Sequence, residues 1–388
     1  VSVTHPAGFR ASGVVAGLKS TGARDLALVV NDGPRTSAAA VFTSNRAKAN
    51  PVLWSEKAVL DGRIDAVILN SGGANCFTGA FGFQTTHATA EAVAEALGIS
   101  AADVLVCSTG LIGVGDQTFR DAILDNVAPA VAALSGERDG GADAALAIMT
   151  TDSKPKESTI DSPAGWSIGG MAKGAGMLAP GLATMLVVIT TDADLDPATL
   201  DRALRAATRV TFDRVDSDGC MSTNDTVTLM ASGASGVAAD EAEFTTALTA
   251  LCLDLATQLQ RDAEGASHDI AIEVVNAASE DDAVVVGRAV SRSNLLKAAI
   301  FGNDPNWGRV LAALGTTDAV FDPYRIDVSM NGVMVCREGE PGDDRELVDL
   351  TPRATSILID LKSGDATATI YTNDLTHDYV HENSAYAS

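Results

Sequence analysis

The sequence predicts an α/β protein built in two lobes. Three observations carry that reading. Short apolar runs of strand length alternate with helical stretches. The chain has 388 residues, more than one compact core usually holds. Its 46% hydrophobic and 20% charged residues are the balance of a globular protein. Glycine is frequent (35 residues) and aromatics are scarce (4%), so the core must rest on Ala, Val, Leu and Ile, with tight turns.

In the first half, residues 26–30, 38–42, 66–69 and 104–106 read as strands. Helices are predicted over 87–97 and 142–149, and NSGGAN at 70–75 is a glycine-rich turn. GGMAKGAGMLAP at 169–180 holds four Gly and one Pro, which predicts a loop. A strongly β-prone run follows over 184–191. Asp196 is placed to cap a helix with Pro197 at its first position and Leu200 and Leu204 on one face. Residues 226–230 read as a strand. The clearest helix spans 240–264, where Phe244, Leu248, Leu251, Cys252, Leu255 and Leu259 form one stripe. A strand over 270–275, a helix capped by Ser279, and strands over 326–329, 357–361 and 366–371 complete the reading. There are no repeats, and the loop before Thr184 is the one natural boundary.

Net charge is −24, which repels phosphate backbones and anionic membranes, so neither nucleic acid nor a membrane is expected as a partner. Five cysteines without CxxC or Cys/His spacing suggest neither a disulfide framework nor a metal site. VSVTHPAGFR lacks an apolar signal core, and no apolar run reaches membrane-spanning length; a cytoplasmic protein is the expectation.

The chemistry centres on Thr184. A hydroxyl is a weak nucleophile without a base beside it. Cutting the bond between Ala183 and Thr184 would free an α-amine with a pKa of about 7.7–8.0. That amine can take the hydroxyl proton within the same residue. Ala183 is small enough for the hydroxyl to reach its carbonyl, and the upstream glycines permit strained backbone. On local features alone, a Thr that simply opens a strand is the commoner case.

The stretch GGMAKGAGMLAPGLATMLVVITTDA at 169–193 resembles the self-processing segment of the ornithine acetyltransferase (glutamate N-acetyltransferase) family. VCSTGLIG at 106–113, AIMTTD at 147–152, STNDT at 222–226 and QRDAEG at 260–265 agree with it. So do FGNDPNWGRVLAA at 301–313 and HENSAYAS at 381–388. Together they span nearly the whole chain in family order. The resemblance implies a self-processing, N-terminal-nucleophile-like sandwich of layered sheets and helices. It implies autoproteolysis into an α chain, 1–183, and a β chain, 184–388, assembled as two α and two β. It implies ping-pong transfer of acetyl from N-acetylornithine to glutamate through an acetyl-Thr184 intermediate. No metal or bound organic cofactor is implied; acetyl-CoA is a further acetyl donor for some members.

Site residues follow from the same match. Thr109 and Gly110 align with an oxyanion hole, a hydroxyl and a backbone N–H of which one donor contributes roughly 3–4 kcal/mol. Thr150, Lys173, Thr184, Glu264, Asn383 and Ser388 align with substrate contacts. Glu264 also has an argument of its own. A carboxylate ending a helix just before Gly265 opposes the macrodipole, by about 0.3–1 kcal/mol, and a cationic substrate would relieve it. Asn306, Trp307 and Arg309 suit structural roles, and Asn224 and Asp225 suit turn hydrogen bonds. GANCFTG and DSDGCM depart from the family pattern; touching no assigned residue, they are expected to alter local packing alone. The competing readings are a self-cleaving N-terminal Ser/Thr amidase or aminopeptidase, in which water releases the acyl group, and an acidic phosphate-binding protein, for which no GxxxxGK[ST] is present.

Overall fold

The computed structural model describes residues 2–179 and 185–385, so Ala183, Thr184 and Ser388 lie outside the described residues. Two sheets form the larger lobe. One has four strands in the order Phe9–Val14, Leu26–Asn31, Ala66–Asn70, Val104–Ser108. The other has five, in the order Ser37–Phe42, Thr226–Ala231, Leu186–Thr191, Ser167–Lys173, Lys156–Asp161.

Strand periodicity sorts the side chains between layers. Val29, Val67 and Leu105 of the first sheet meet Met171, Val188 and Met230 of the second in one buried cluster. Their neighbours Leu28, Ile68 and Val106 face the other way, against Val93 of helix Gly79–Leu97 and Ile123 of helix Gln117–Ala132. Val187, Ile189 and Leu229 face outward from the second sheet against helices Pro197–Val210 and Glu241–Arg261. The result is helices, sheet, sheet, helices: a four-layer sandwich. The predicted stripe from Phe244 to Leu259 is entirely buried there.

The smaller lobe is a six-stranded sheet ordered Glu340–Pro341, Val333–Arg337, Asp327–Met330, Ala354–Asp360, Asp269–Ala277, Ala366–Asn373. Helices Glu280–Ser291, Asn294–Phe301 and Trp307–Leu314 pack on it through Val286, Val290, Leu296 and Val310. Asp196, Asp240 and Ser279 each cap their helix through the side chain. Asn306 bonds Asp304 and Arg309 bonds the Leu295 carbonyl, so both shape the Trp307–Leu314 helix.

Two expectations need correction. Residues 169–173 are not loop; they belong to the Ser167–Lys173 strand. Glycine is there for closeness: a Cβ on Gly169 would lie 2.2 Å from the Ser2 carbonyl oxygen, and one on Gly170 would lie 3.1 Å from Leu251 and Leu255. Nor does the glycine-rich segment divide the lobes. Lys173 pairs with Leu186 inside one sheet, and the lobes part instead between Arg261 and Asp269.

Leu255 lies fully buried in the cluster beneath the five-stranded sheet. Leu255→Ala should lower the unfolding free energy by about 2–5 kcal/mol, as read from urea midpoints at unchanged slope.

Candidate active site

The site forms where strands of both sheets end. After Val104–Ser108 the chain turns: Thr109 N–H donates to the Asn70 carbonyl at 2.9 Å, and the Thr109 carbonyl accepts from Gly73 N–H at 3.0 Å. Gly110 has φ +127°, and a Cβ there would lie 2.5 Å from Gly73 N, so this turn requires glycine. Its N–H makes no hydrogen bond among the described residues.

Lys173 ends its strand buried rather than solvated in a loop. Its ammonium donates to Thr109 Oγ1 at 3.2 Å and to Thr150 Oγ1 at 2.8 Å. Thr109 Oγ1 is thus an acceptor toward Lys173, which leaves its own proton to point elsewhere. Behind Lys173 stands Asp152, 4.0 Å away. Asp152 accepts from Lys156 Nζ at 2.6 Å, Gly174 N–H at 2.6 Å and Thr150 N–H at 3.0 Å. Lys156, fully buried, also pairs with Asp262 at 2.6 Å. Burial pushes the Asp152 carboxyl up, but Lys173 and Lys156 outweigh it and hold it at about 2. Burial pushes the Lys173 ammonium down, against the pull of Asp152.

Glu264 forms the opposite wall. It does not end the helix, which stops at Arg261 with Asp262 as its C-cap. It lies in the following turn, its N–H donating to the Ala175 carbonyl at 3.0 Å. Its carboxylate accepts from Thr151 Oγ1 at 2.7 Å and Asn383 Nδ2 at 2.9 Å. The macrodipole argument therefore falls away. Asn383 comes from the terminal helix His377–Ala385, packed so close that a Cβ on Gly265 would lie 2.2 Å from Tyr379 N.

Thr109, Gly110, Thr150, Lys173, Glu264 and Asn383 all line one cavity of about 170 Å³. Every candidate within the described residues is thus brought together. Sequence reasoning missed Asp218, Cys220 and Tyr379, which line the same cavity. Asp218 accepts from Met177 N–H at 2.7 Å and Cys220 N–H at 3.1 Å, and burial pushes its carboxyl up. Burial and Asp218 also push the Tyr379 phenol up. The departure at DSDGCM was the available signal: it reaches the site, not local packing alone. Asn224 and Asp225 make more than turn contacts. Asn224 Nδ2 donates to the Ala74 and Ser108 carbonyls at 2.7 and 2.8 Å. Asp225 Oδ1 accepts from Met185 N–H at 3.1 Å. Among the described residues no group of three or more His, Cys, Asp or Glu could hold a metal, and no helix is long and apolar enough to cross a membrane.

The Asp152 cluster predicts a pH signature. Its folded pKa is depressed, so its contribution is present above the unfolded value near 3.9 and is lost as pH falls toward about 2. Asp152→Asn should destabilise the protein by roughly 2–5 kcal/mol near neutrality. The gap to wild type should close between about pH 4 and pH 2; a gap constant across that range would exclude Asp152 as an ionised anchor.

A family model described as the ArgJ family matches residues 10–388. An arginine biosynthesis bifunctional protein ArgJ of Streptomyces coelicolor is 63% identical over 390 residues, covering all of both chains. That of Mycobacterium leprae is 54% identical over 391 residues, covering all of this chain and 96% of the relative. Among solved structures, an ornithine acetyltransferase from Mycobacterium tuberculosis complexed with ornithine is 54% identical, with a TM-score of 0.45 over 48% of this chain and 96% of that one. With a family match across nearly its whole length and full-length relatives above half identity, the chain belongs to the ArgJ family.

Proposed function

We propose that this chain is an acetyltransferase of arginine biosynthesis that moves acetyl from N-acetylornithine to glutamate, with Thr184 as acyl carrier after cleavage at Ala183. The observation that supports it best is the cavity itself. A hydroxyl and an unbonded N–H (Thr109, Gly110) stand beside a buried ammonium (Lys173), with a carboxylate (Glu264) across from it. Residue 185, next to Thr184 in the chain, precedes Leu186, the strand partner of Lys173. The nucleophile's neighbour is therefore held at the same strand ends.

In the proposed reaction Thr184 Oγ bonds to the acetyl carbon as its proton passes to the α-amine. Thr109 and Gly110 donate to the oxyanion. The C–N bond to ornithine breaks and the leaving nitrogen takes the proton. Glutamate's neutral amine then attacks the acetyl-Thr184 ester, the acyl C–O bond breaks, and the proton given up by that amine passes through the α-amine of Thr184 to its hydroxyl oxygen. Lys173 and Thr150 meet the α-carboxylate that both substrates share. Glu264, Asn383 and Ser388 meet the far end. The scheme uses neither metal nor bound organic cofactor. We extend the proposal to acetyl-CoA as a second donor, and to an assembly of two α and two β chains.

Denaturing mass spectrometry of the purified protein should give fragments 1–183 and 184–388, and Thr184→Ala should give one uncut, inactive chain. Efficient cleavage of that variant would rule out Thr184 as the processing nucleophile. Loss of N-acetylornithine should depend on glutamate; equal turnover without it would favour an amidase.

Asp218 gives a second test. Burial keeps its carboxyl protonated to a higher pH than an ordinary aspartate. As pH rises it ionises and repels the side-chain carboxylate of glutamate. The KM for glutamate should therefore climb with pH while that for N-acetylornithine does not. Asp218→Asn should flatten the climb, and an unchanged profile would refute the role.

A further inference from the structure

Lys297 is a buried cation that the acyl-transfer scheme does not use. It sits on the Asn294–Phe301 helix of the smaller lobe and is 6% exposed. Lysine is seldom buried without a paired carboxylate, because taking its charge out of water is costly. Here no carboxylate of the described residues is close enough to form an ion pair with it. Its ammonium donates instead to the Ser217 carbonyl, across the boundary between the lobes. A single neutral acceptor leaves most of an ammonium's hydrogen-bonding capacity, and all of its charge, without a direct partner.

Ser217 belongs to a strip pinned from several sides. Asp216 N–H donates to the Tyr371 carbonyl at 2.8 Å, and Asp216 Oδ2 accepts from Arg292 Nε at 2.8 Å. Ser217 N–H donates to the Leu178 carbonyl at 2.5 Å, and its hydroxyl donates to Asn373 Oδ1 at 2.6 Å. Just beyond, Asp218 and Cys220 line the acyl-transfer cavity, whereas Lys297 does not. The ammonium therefore stands behind that wall. Asp218, Asp216, Asp374 and the Cys220 thiol face it. Burial pushes the Asp218 carboxyl and the Cys220 thiol up, and Lys297 pulls both back down. Arg292 helps it at Cys220, while Glu264 opposes it at Asp218, which also faces the Tyr379 phenol.

We propose that Lys297 is a positioning residue for the far end of the cavity. It grips the 216–220 strip through Ser217 and, from behind the wall, favours the ionised form of Asp218. Substrate meets Asp218, and Lys297 acts through it. A cation out of a ligand's reach can thus set the pH at which the far end turns from neutral to negative. That pH decides how readily a second carboxylate is accepted there. Assigning that carboxylate to glutamate rests on the proposed acetyl transfer; the coupling of Lys297 to the wall does not.

Cys220 supplies the test. Of the five cysteines it alone is exposed, and it lines the same wall. Its thiolate is the form that reacts with iodoacetamide, so alkylation of the full protein against pH reads the local charge. Lys297→Gln carries a donor for Ser217 but no charge, so the thiol should keep its proton to higher pH. Alkylation near pH 8 should slow about threefold, lost thiolate being partly offset by a more nucleophilic sulfur. Lys297→Arg keeps the charge and should alkylate at close to the wild-type rate. The pH at which the KM for glutamate climbs should move up in Lys297→Gln and stay in place in Lys297→Arg. An unchanged alkylation profile in Lys297→Gln overturns the proposal. So does a Lys297→Gln chain that fails to fold, which gives the residue to the fold instead. A shifted alkylation profile with an unmoved KM climb uncouples Lys297 from Asp218 and overturns it too. Shifted alkylation in a protein without glutamate-dependent turnover keeps the coupling and refutes the acetyl transfer.

Discussion

The site depends on one buried carboxylate. Asp152 takes its two lysines out of water in different ways: Lys156 as a close ion pair, Lys173 at 4.0 Å. The difference has a consequence. Lys156 is spent on Asp152 and Asp262, whereas Lys173 keeps its protons for the hydroxyls of Thr109 and Thr150. Asp152 neutralises the charge without capturing its donors. Its backbone contacts to residues 150 and 174 fix the two segments that carry Thr150 and Lys173. Buried ion clusters are weak contributors to net stability. The effect of this one is on position, and through Asp262 it reaches the turn that carries Glu264.

Strand order explains how the proposed cut before Thr184 would be compatible with a stable fold. The five-stranded sheet draws three strands from before that point and two from after it. The Leu186–Thr191 strand lies between Ser167–Lys173 and Thr226–Ala231, hydrogen-bonded to both. Severing the chain would leave two interleaved fragments sharing the cores on both faces of that sheet. The start of the strand is held from the side as well, by the grip of Asp225 on Met185 N–H. Asn224, one residue earlier, ties the ends of the first sheet to the second.

Much of this was legible in the sequence where local physics decides. The stripe from Phe244 to Leu259, the Asp196 and Ser279 caps and most strand cores follow from periodicity and side-chain chemistry. The motifs carried the site, and all six candidates within the described residues line one cavity. What misled was glycine. Gly169 and Gly170 look like loop residues, yet they serve a strand pressed against Ser2 and the long helix. The fate of Lys173 followed from that misreading, since a loop lysine is solvated and a strand-end lysine above a buried aspartate is not. Glu264 was misplaced by one turn because helix termination at Arg261 is set by Asp262, which caps the helix and pairs with Lys156. Tyr379 carries no local signal; it meets Asp218 and Cys220 in the cavity through tertiary packing.

In the proposed transfer, one cavity must serve two substrates that match at one end and differ in charge at the other. N-acetylornithine brings an ammonium where glutamate brings a carboxylate. A wall of fixed negative charge would suit the first and exclude the second. The far end of this cavity is not of that kind. Glu264 already shares its oxygens with Thr151 and Asn383, which spreads its charge over two donors. The Asn383 amide presents both an acceptor and donors, so it can face either charge. Asp218, pushed toward its neutral form by burial, can donate a proton to a carboxylate or ionise toward an ammonium. A far end made of one dispersed charge, one amide and one adjustable acid suits a ligand group of either charge. The proposed ping-pong transfer, in which ornithine leaves before glutamate enters the same space, needs a far end of that kind.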